Sequence, residues 1–100
     1  MHKAGLQKVV LNISFYREGK KFIAYSPALN LSTCGDSLVQ ARKRFDELAR
    51  LFLEEAVEMG TFEDILLECG WKRVLRPQKC WQPPLCIGQE QEEIKIPCPA

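Results

Sequence analysis

From Lys8 to Tyr16 the chain alternates, with Val9, Leu11, Ile13 and Phe15 on one side and Asn12 and Ser14 on the other. A period of two is that of a half-buried strand. Arg17-Glu18-Gly19-Lys20 breaks the alternation as a turn, with Gly19 placed for positive φ. Phe22–Tyr25 is apolar and aromatic, as a buried strand should be, and Lys21–Tyr25 returns antiparallel. Ser26-Pro27 interrupts it, since proline has no backbone N–H to give, and Leu29–Thr33 extends the meander. Gly35-Asp36 turns the chain once more.

Beyond that turn the period changes. Leu38, Ala41, Phe45, Leu48, Phe52 and Ala56 recur at spacings of three and four, which predicts a helix over Leu38–Met59 with one apolar stripe. Ser37 and Gln40 form a capping box: the Ser37 hydroxyl accepts from the Gln40 N–H, and the Gln40 side chain reaches back to the Ser37 N–H. Gly60 suits the residue that ends such a helix. The stripe is expected to bury Phe45, Leu48 and Phe52 against Leu11, Ile13 or Phe15, or against Phe22 and Ala24 if the first strand is reversed. Thr61 then caps a second, short helix whose inner side is Phe62, Ile65, Leu66 and Cys69, and which ends at Gly70. Pro77, Pro83 and Pro84 make the following stretch a poor helix or central strand. Glu93-Ile94-Lys95-Ile96 alternates again and reads as a last strand, stopped by Pro97 and running parallel to the first strand. The expected fold is α+β: a three-stranded antiparallel meander, a long helix, a short helix and a final strand (β-β-β-α-α-β), in a single domain over residues 1–100.

Phe22, Ala24, Tyr25, Pro27, Leu29, Thr33, Gly35, Asp36, Ser37 and Ala41, in that order and ahead of a long amphipathic helix, resemble the HicB-like antitoxin family. The resemblance covers roughly the first two thirds of the chain. It implies a HicB-like fold, similar to a trimmed ribonuclease-H-like core. It implies a protein that neutralises a small basic ribonuclease toxin by covering it, as one half of a toxin–antitoxin system. It also implies association through this domain. Family members often carry a DNA-binding segment after the domain; here Ala100 follows soon after the expected last strand, so that segment is expected to be absent.

Charge and composition narrow the classes. The net charge of +1 selects neither nucleic acid nor an acidic partner. No apolar run is long enough to span a bilayer, and the N-terminus lacks the apolar core of a signal peptide. The expected location is therefore cytoplasmic. Five cysteines, Cys34, Cys69, Cys80, Cys86 and Cys98, form no C-x-x-C pair, and the single histidine, His2, lies near the terminus. That pattern argues for free thiols rather than zinc. A Cys80–Cys86 approach across the proline-containing loop is the minor alternative. No metal or cofactor is expected.

Catalysis is not expected either. Two-metal nuclease chemistry needs clustered carboxylates on the sheet, and the strands supply Asn12 and Ser14 but no such cluster. Asp46 and Glu47 on the helix have no strand carboxylates to join. A nucleophilic triad needs a placed base, and no glycine-rich phosphate loop is present. Two binding readings remain. In the first, Val10, Asn12, Ser14 and Tyr16, with Ile23 and Tyr25, line the sheet face opposite the helix. Tyr16, Ile23 and Tyr25 then form a partner or self-association surface, giving a homodimer or a dimer of dimers. The competing outcome is that Arg76–Gly88 folds back over this face and leaves a monomer. In the second, Trp71, Lys72, Arg73, Arg76, Lys79 and Trp81 grip nucleic acid, cations on phosphates and indoles stacked on bases. A plain solvated loop with Trp71 plugging the core outweighs that second reading, and burial of the tryptophans decides between them. On the helix, Arg42, Lys43 and Arg44 stand early and Glu54, Glu55 and Glu58 late, against the macrodipole. Pairs Arg42–Asp46 and Lys43–Glu47 on a solvated face account for the early cations.

Overall fold

The computed structural model describes residues 7–75 and 80–99. Its fold is α+β: strands β1 (Ser14–Glu18), β2 (Lys21–Ser26) and β3 (Leu31–Gly35), helices α1 (Leu38–Met59) and α2 (Phe62–Glu68), then strands β4 (Lys72–Val74) and β5 (Cys80–Gln82). β1, β2 and β3 form one antiparallel sheet in that order, and β4 and β5 form a separate hairpin.

The first turn is as the sequence predicts. Glu18 pairs with Lys21, so Gly19-Lys20 is a two-residue loop, and Gly19 takes φ 61°. A side chain there would strain the tight reversal. The first strand begins six residues later than its alternation suggests. Its last pairing is Ser14 with Tyr25, because β2 ends at Ser26 and the chain turns at Pro27, leaving residues 8–13 nothing to pair with. β3 likewise starts at Leu31 rather than Leu29. Pro27–Asn30 forms the connecting turn, closed by the Asn30 N–H donating to the Pro27 carbonyl, with Asn30 at φ 53°. Asparagine tolerates that left-handed position better than most residues. Ala28 and Leu29 are thereby turned inward rather than along the sheet.

α1 has the predicted bounds. The Ser37 hydroxyl accepts from the Gln40 N–H at 3.1 Å, and Gly60 closes the helix at φ 74°. The return half of the capping box is shifted: the Gln40 side chain accepts from the Asp36 N–H, one residue before the one expected. Thr61 does not cap α2 with its side chain; its hydroxyl points back to the Ala56 carbonyl.

Two clusters make up the core. In one, Ala24, Ala41 and Phe45 are buried with Ile13, Phe15 and Phe22 around them. In the other, Ala28, Leu29, Leu66 and Trp71 are buried beside Leu11, Leu53 and Phe62. Leu31 and Ala49 touch both. The split follows from length. A 22-residue helix runs roughly 33 Å, about twice the span of a five-residue strand, so its second half passes beyond the sheet and needs another floor. The stripe expected along α1 is also rotated. Phe45 is buried, whereas Leu48, Ala49, Phe52 and Leu53 are all half-buried, and of these Ala49 and Leu53 are the ones packed against the buried clusters. Small Ala24, Ala41 and Ala49 let helix and sheet approach closely. Gly35 serves the same approach, since a Cβ there would stand 2.8 Å from the Ala41 backbone nitrogen.

The final strand is not formed. Residues 83–99 have no regular structure, and Ile94 and Ile96 are 71% and 78% exposed. Alternation supplies the propensity for a strand, but a ladder partner must supply the hydrogen bonds. The β4–β5 hairpin, by contrast, was not legible beforehand. Trp81 anchors it: its backbone N–H donates to the Gln7 side-chain oxygen at 2.8 Å and its carbonyl accepts from the Gln7 amide at 2.6 Å. Gln7 is thus pinned; residues 1–6, His2 included, lie outside the described residues.

Candidate functional site

The sheet has one covered and one open face. The pairing Phe15–Ala24–Thr33 lies under α1, so the next rows, Ser14–Tyr25–Ser32 and Tyr16–Ile23–Cys34, point away from the helix. Tyr16, Ile23 and Tyr25 are therefore brought together, as the sequence predicts. Tyr16 is 56% exposed, and Ile23 and Tyr25 are half-buried. The Tyr25 hydroxyl donates to the Asn30 side chain at 3.3 Å, which fixes the ring against the turn. Cys34 completes the middle row and is exposed. Sequence reading missed it, because its place depends on the register of β3. Val10 and Asn12, expected on the same face, precede β1 and border a cleft with Pro83, Pro84 and Leu85.

Charge flanks this face, with Glu90 sharing a cleft with Ser14 and Tyr16 on one side. Glu18, Lys21 and Asp36 gather at the β1–β2 loop, and the Lys21 ammonium pairs with the Asp36 carboxylate. The hydrogen bond and the charge of Lys21 hold the Asp36 carboxyl below its ordinary range, and the same contact raises Lys21. Both side chains are largely solvated, so this is a surface clamp, weakened by salt.

Two of the three early cations of α1, Arg42 and Arg44, reach the sheet from exposed positions. Arg42 stands over the Phe15 ring at 5.7 Å, and Arg44 donates to the Cys34 carbonyl at 3.0 Å. Asp46 faces Arg50 at 3.9 Å, not the Arg42 expected one turn earlier. Arg42 and Arg44, which oppose the macrodipole, are thus compensated by contacts on the sheet side.

The tryptophan segment is built differently from a stacking platform. Trp71 is 5% exposed, and its indole N–H donates to the Ala28 carbonyl at 2.7 Å. Trp81 meets Phe62 edge-on, and Arg73 lies over its ring at 5.6 Å while pairing with Glu63. Lys72 is exposed; Arg76 and Lys79 lie outside the described residues.

The thiols are all free, so Cys80 and Cys86 are not joined. Burial, aided by Glu68, pushes the Cys69 thiol up, away from a nucleophilic thiolate. Among the described residues no group of three or more His, Cys, Asp or Glu side chains is placed to hold a metal, and no helix is long and apolar enough to cross a membrane. Comparison with known protein families, with characterised proteins and with solved structures finds no match to this chain.

Proposed function

We propose that this chain is a cytoplasmic, non-catalytic protein-binding module of the HicB antitoxin type, which covers a small ribonuclease-type toxin with its open sheet face and also self-associates. The observation that carries the reading is the uncharged patch of Tyr16, Ile23, Tyr25 and Cys34 opposite α1. Aromatic and aliphatic side chains ringed by charge are the composition of a binding patch rather than of a solvated sheet face. The β-β-β-α part of the fold is the part on which the HicB-like motifs of residues 22–41 sit, and the likeness to a trimmed ribonuclease-H-like core rests on it too.

Nucleic-acid binding through residues 71–81 draws less support. Its two indoles are engaged, one buried on Ala28 and the other beneath Arg73, and stacking needs a free ring face.

The test is affinity capture from the native host with the wild-type chain and with Tyr25→Glu. The expected result is a small basic protein, retained by the wild type, released by the variant, and able to cleave RNA once separated. Identical captured sets on both baits, or a retained protein without ribonuclease activity, would end the reading.

A further inference from the structure

The sheet has two edges, β1 and β3, and on β3 one outward group is already taken. Arg44 caps the Cys34 carbonyl, which must therefore point outward from β3 rather than toward β2. In an antiparallel ladder alternate residues face opposite neighbours. Ile23, opposite Cys34, then bonds to β1, and so does its partner Tyr16. Phe15 and Arg17 are left with N–H and C=O groups on the outer edge of β1, which no strand among the described residues pairs. An unpaired edge is a template for another strand.

The chain also carries an unpaired strand sequence. Glu93-Ile94-Lys95-Ile96 alternates, ends at Pro97, and exposes both isoleucines. Its own sheet is not where it lies. Gln89 shares a cleft with Val10, Leu11 and Ser14, and Gln89–Gln91 border a second with Ser14 and Tyr16. Gln89–Gln91 are thus near β1 without pairing to it. Ile94 and Ile96 follow within roughly 17 Å of extended chain, yet in their own chain they are exposed and form no strand. The longest dimension of the molecule is 61 Å, nearly twice the length of α1, in keeping with a protruding arm.

We propose that Glu93–Ile96 is an exchange arm that adds as a parallel strand to the outer edge of β1 in a second copy of this chain, bonding to Phe15 and Arg17. With Ile94 and Ile96 on the helix side, they continue the apolar row of Ile13 and Phe15. Lys95 then lies on the open side beside Tyr16, within reach of Glu18, so opposite charges meet. Reciprocal exchange of two arms gives a closed pair. The arm uses the sheet edge and not the open face, so it stands or falls separately from the toxin-binding reading.

The experiment is sedimentation of the full chain at micromolar concentration, with backbone amide exchange read at Phe15 and Arg17. The variants are Ile94→Asp/Ile96→Asp and, in parallel, Tyr25→Glu. Both isoleucines are exposed, so the double variant should fold with unchanged circular dichroism. Expected is a wild-type dimer whose dissociation constant rises by about tenfold or more in the double variant. Amide protection at Phe15 and Arg17 should fall with it, and with dilution. Tyr25→Glu should leave the arm-dependent pairing in place. A wild-type monomer, a dimer indifferent to the double variant, or edge protection independent of concentration would overturn the arm. The last outcome would mean that the tail pairs within its own chain.

Discussion

The sheet with α1 and the region after α1 are held together by different means. The first is periodic: alternation sets β1 and β2, a spacing of three and four sets α1, and Phe45 locks them by close packing on Ala24. The second is held by single anchors. Trp71 plugs the gap under the end of α1 and hydrogen-bonds to Ala28, and the Gln7 side chain holds Trp81 by two bonds. Distributed contacts fail gradually and cooperatively, whereas a region hung on a few side chains can be released without unfolding its neighbour.

Phe45→Ala should break both regions at once. Phe45 is 2% exposed and sits where helix and sheet are closest. Its truncation is expected to cost about 3–5 kcal/mol in urea unfolding, with no residual protected core. A loss below about 1 kcal/mol would mean that the contact is not central.

Trp71→Phe should separate the regions. Phenylalanine keeps much of the apolar bulk but cannot donate, which leaves the buried Ala28 carbonyl without its partner. The expected cost is about 1–3 kcal/mol. Amide exchange should speed up across α2, β4 and β5 while β1–β3 and α1 stay protected. Uniform loss of protection would mean that the two clusters form one cooperative unit.

The smallest effect is expected at the charged end of the open face. The Asp36 pKa is lowered by Lys21, so its contribution is present above the ordinary carboxylate pKa and is lost as pH falls through the depressed value. Lys21 is raised, so its share is complete below the ordinary lysine pKa and fades as pH climbs through the higher one. Asp36→Asn should flatten both arms of a melting-temperature profile at low salt and change nothing at high salt. A profile identical to the wild type at low salt would show the clamp to be idle.

What could be read from the sequence divides along the same line. The turn at Gly19, the bounds of α1, the Ser37 cap and the trio Tyr16, Ile23 and Tyr25 all follow from local rules of period and turn chemistry. The strand starts at Ser14 and Leu31 do not, because pairing partners end them, not propensity. The rotation of the α1 stripe toward Ala49 and Leu53 depends on a floor made by Leu29, Leu66 and Trp71, which no local pattern announces. Cys34 joins the open face only through register, and the β4–β5 hairpin depends on Gln7, which is more than seventy residues away. Glu93–Ile96 has the alternation of a strand but does not form one, because among the described residues no strand pairs with it.

Arg44 has a consequence for assembly size. A sheet that accepts strands at both edges can grow without limit, each added chain offering a fresh site to the next. Here the guanidinium occupies the Cys34 carbonyl and obstructs the β3 side of each subunit; under the exchange proposed above, growth would end when two arms have been traded. Arg44→Ala would remove that stop. Such a chain should lengthen with concentration into rods that scatter light, where the wild type reaches a fixed mass and stays there.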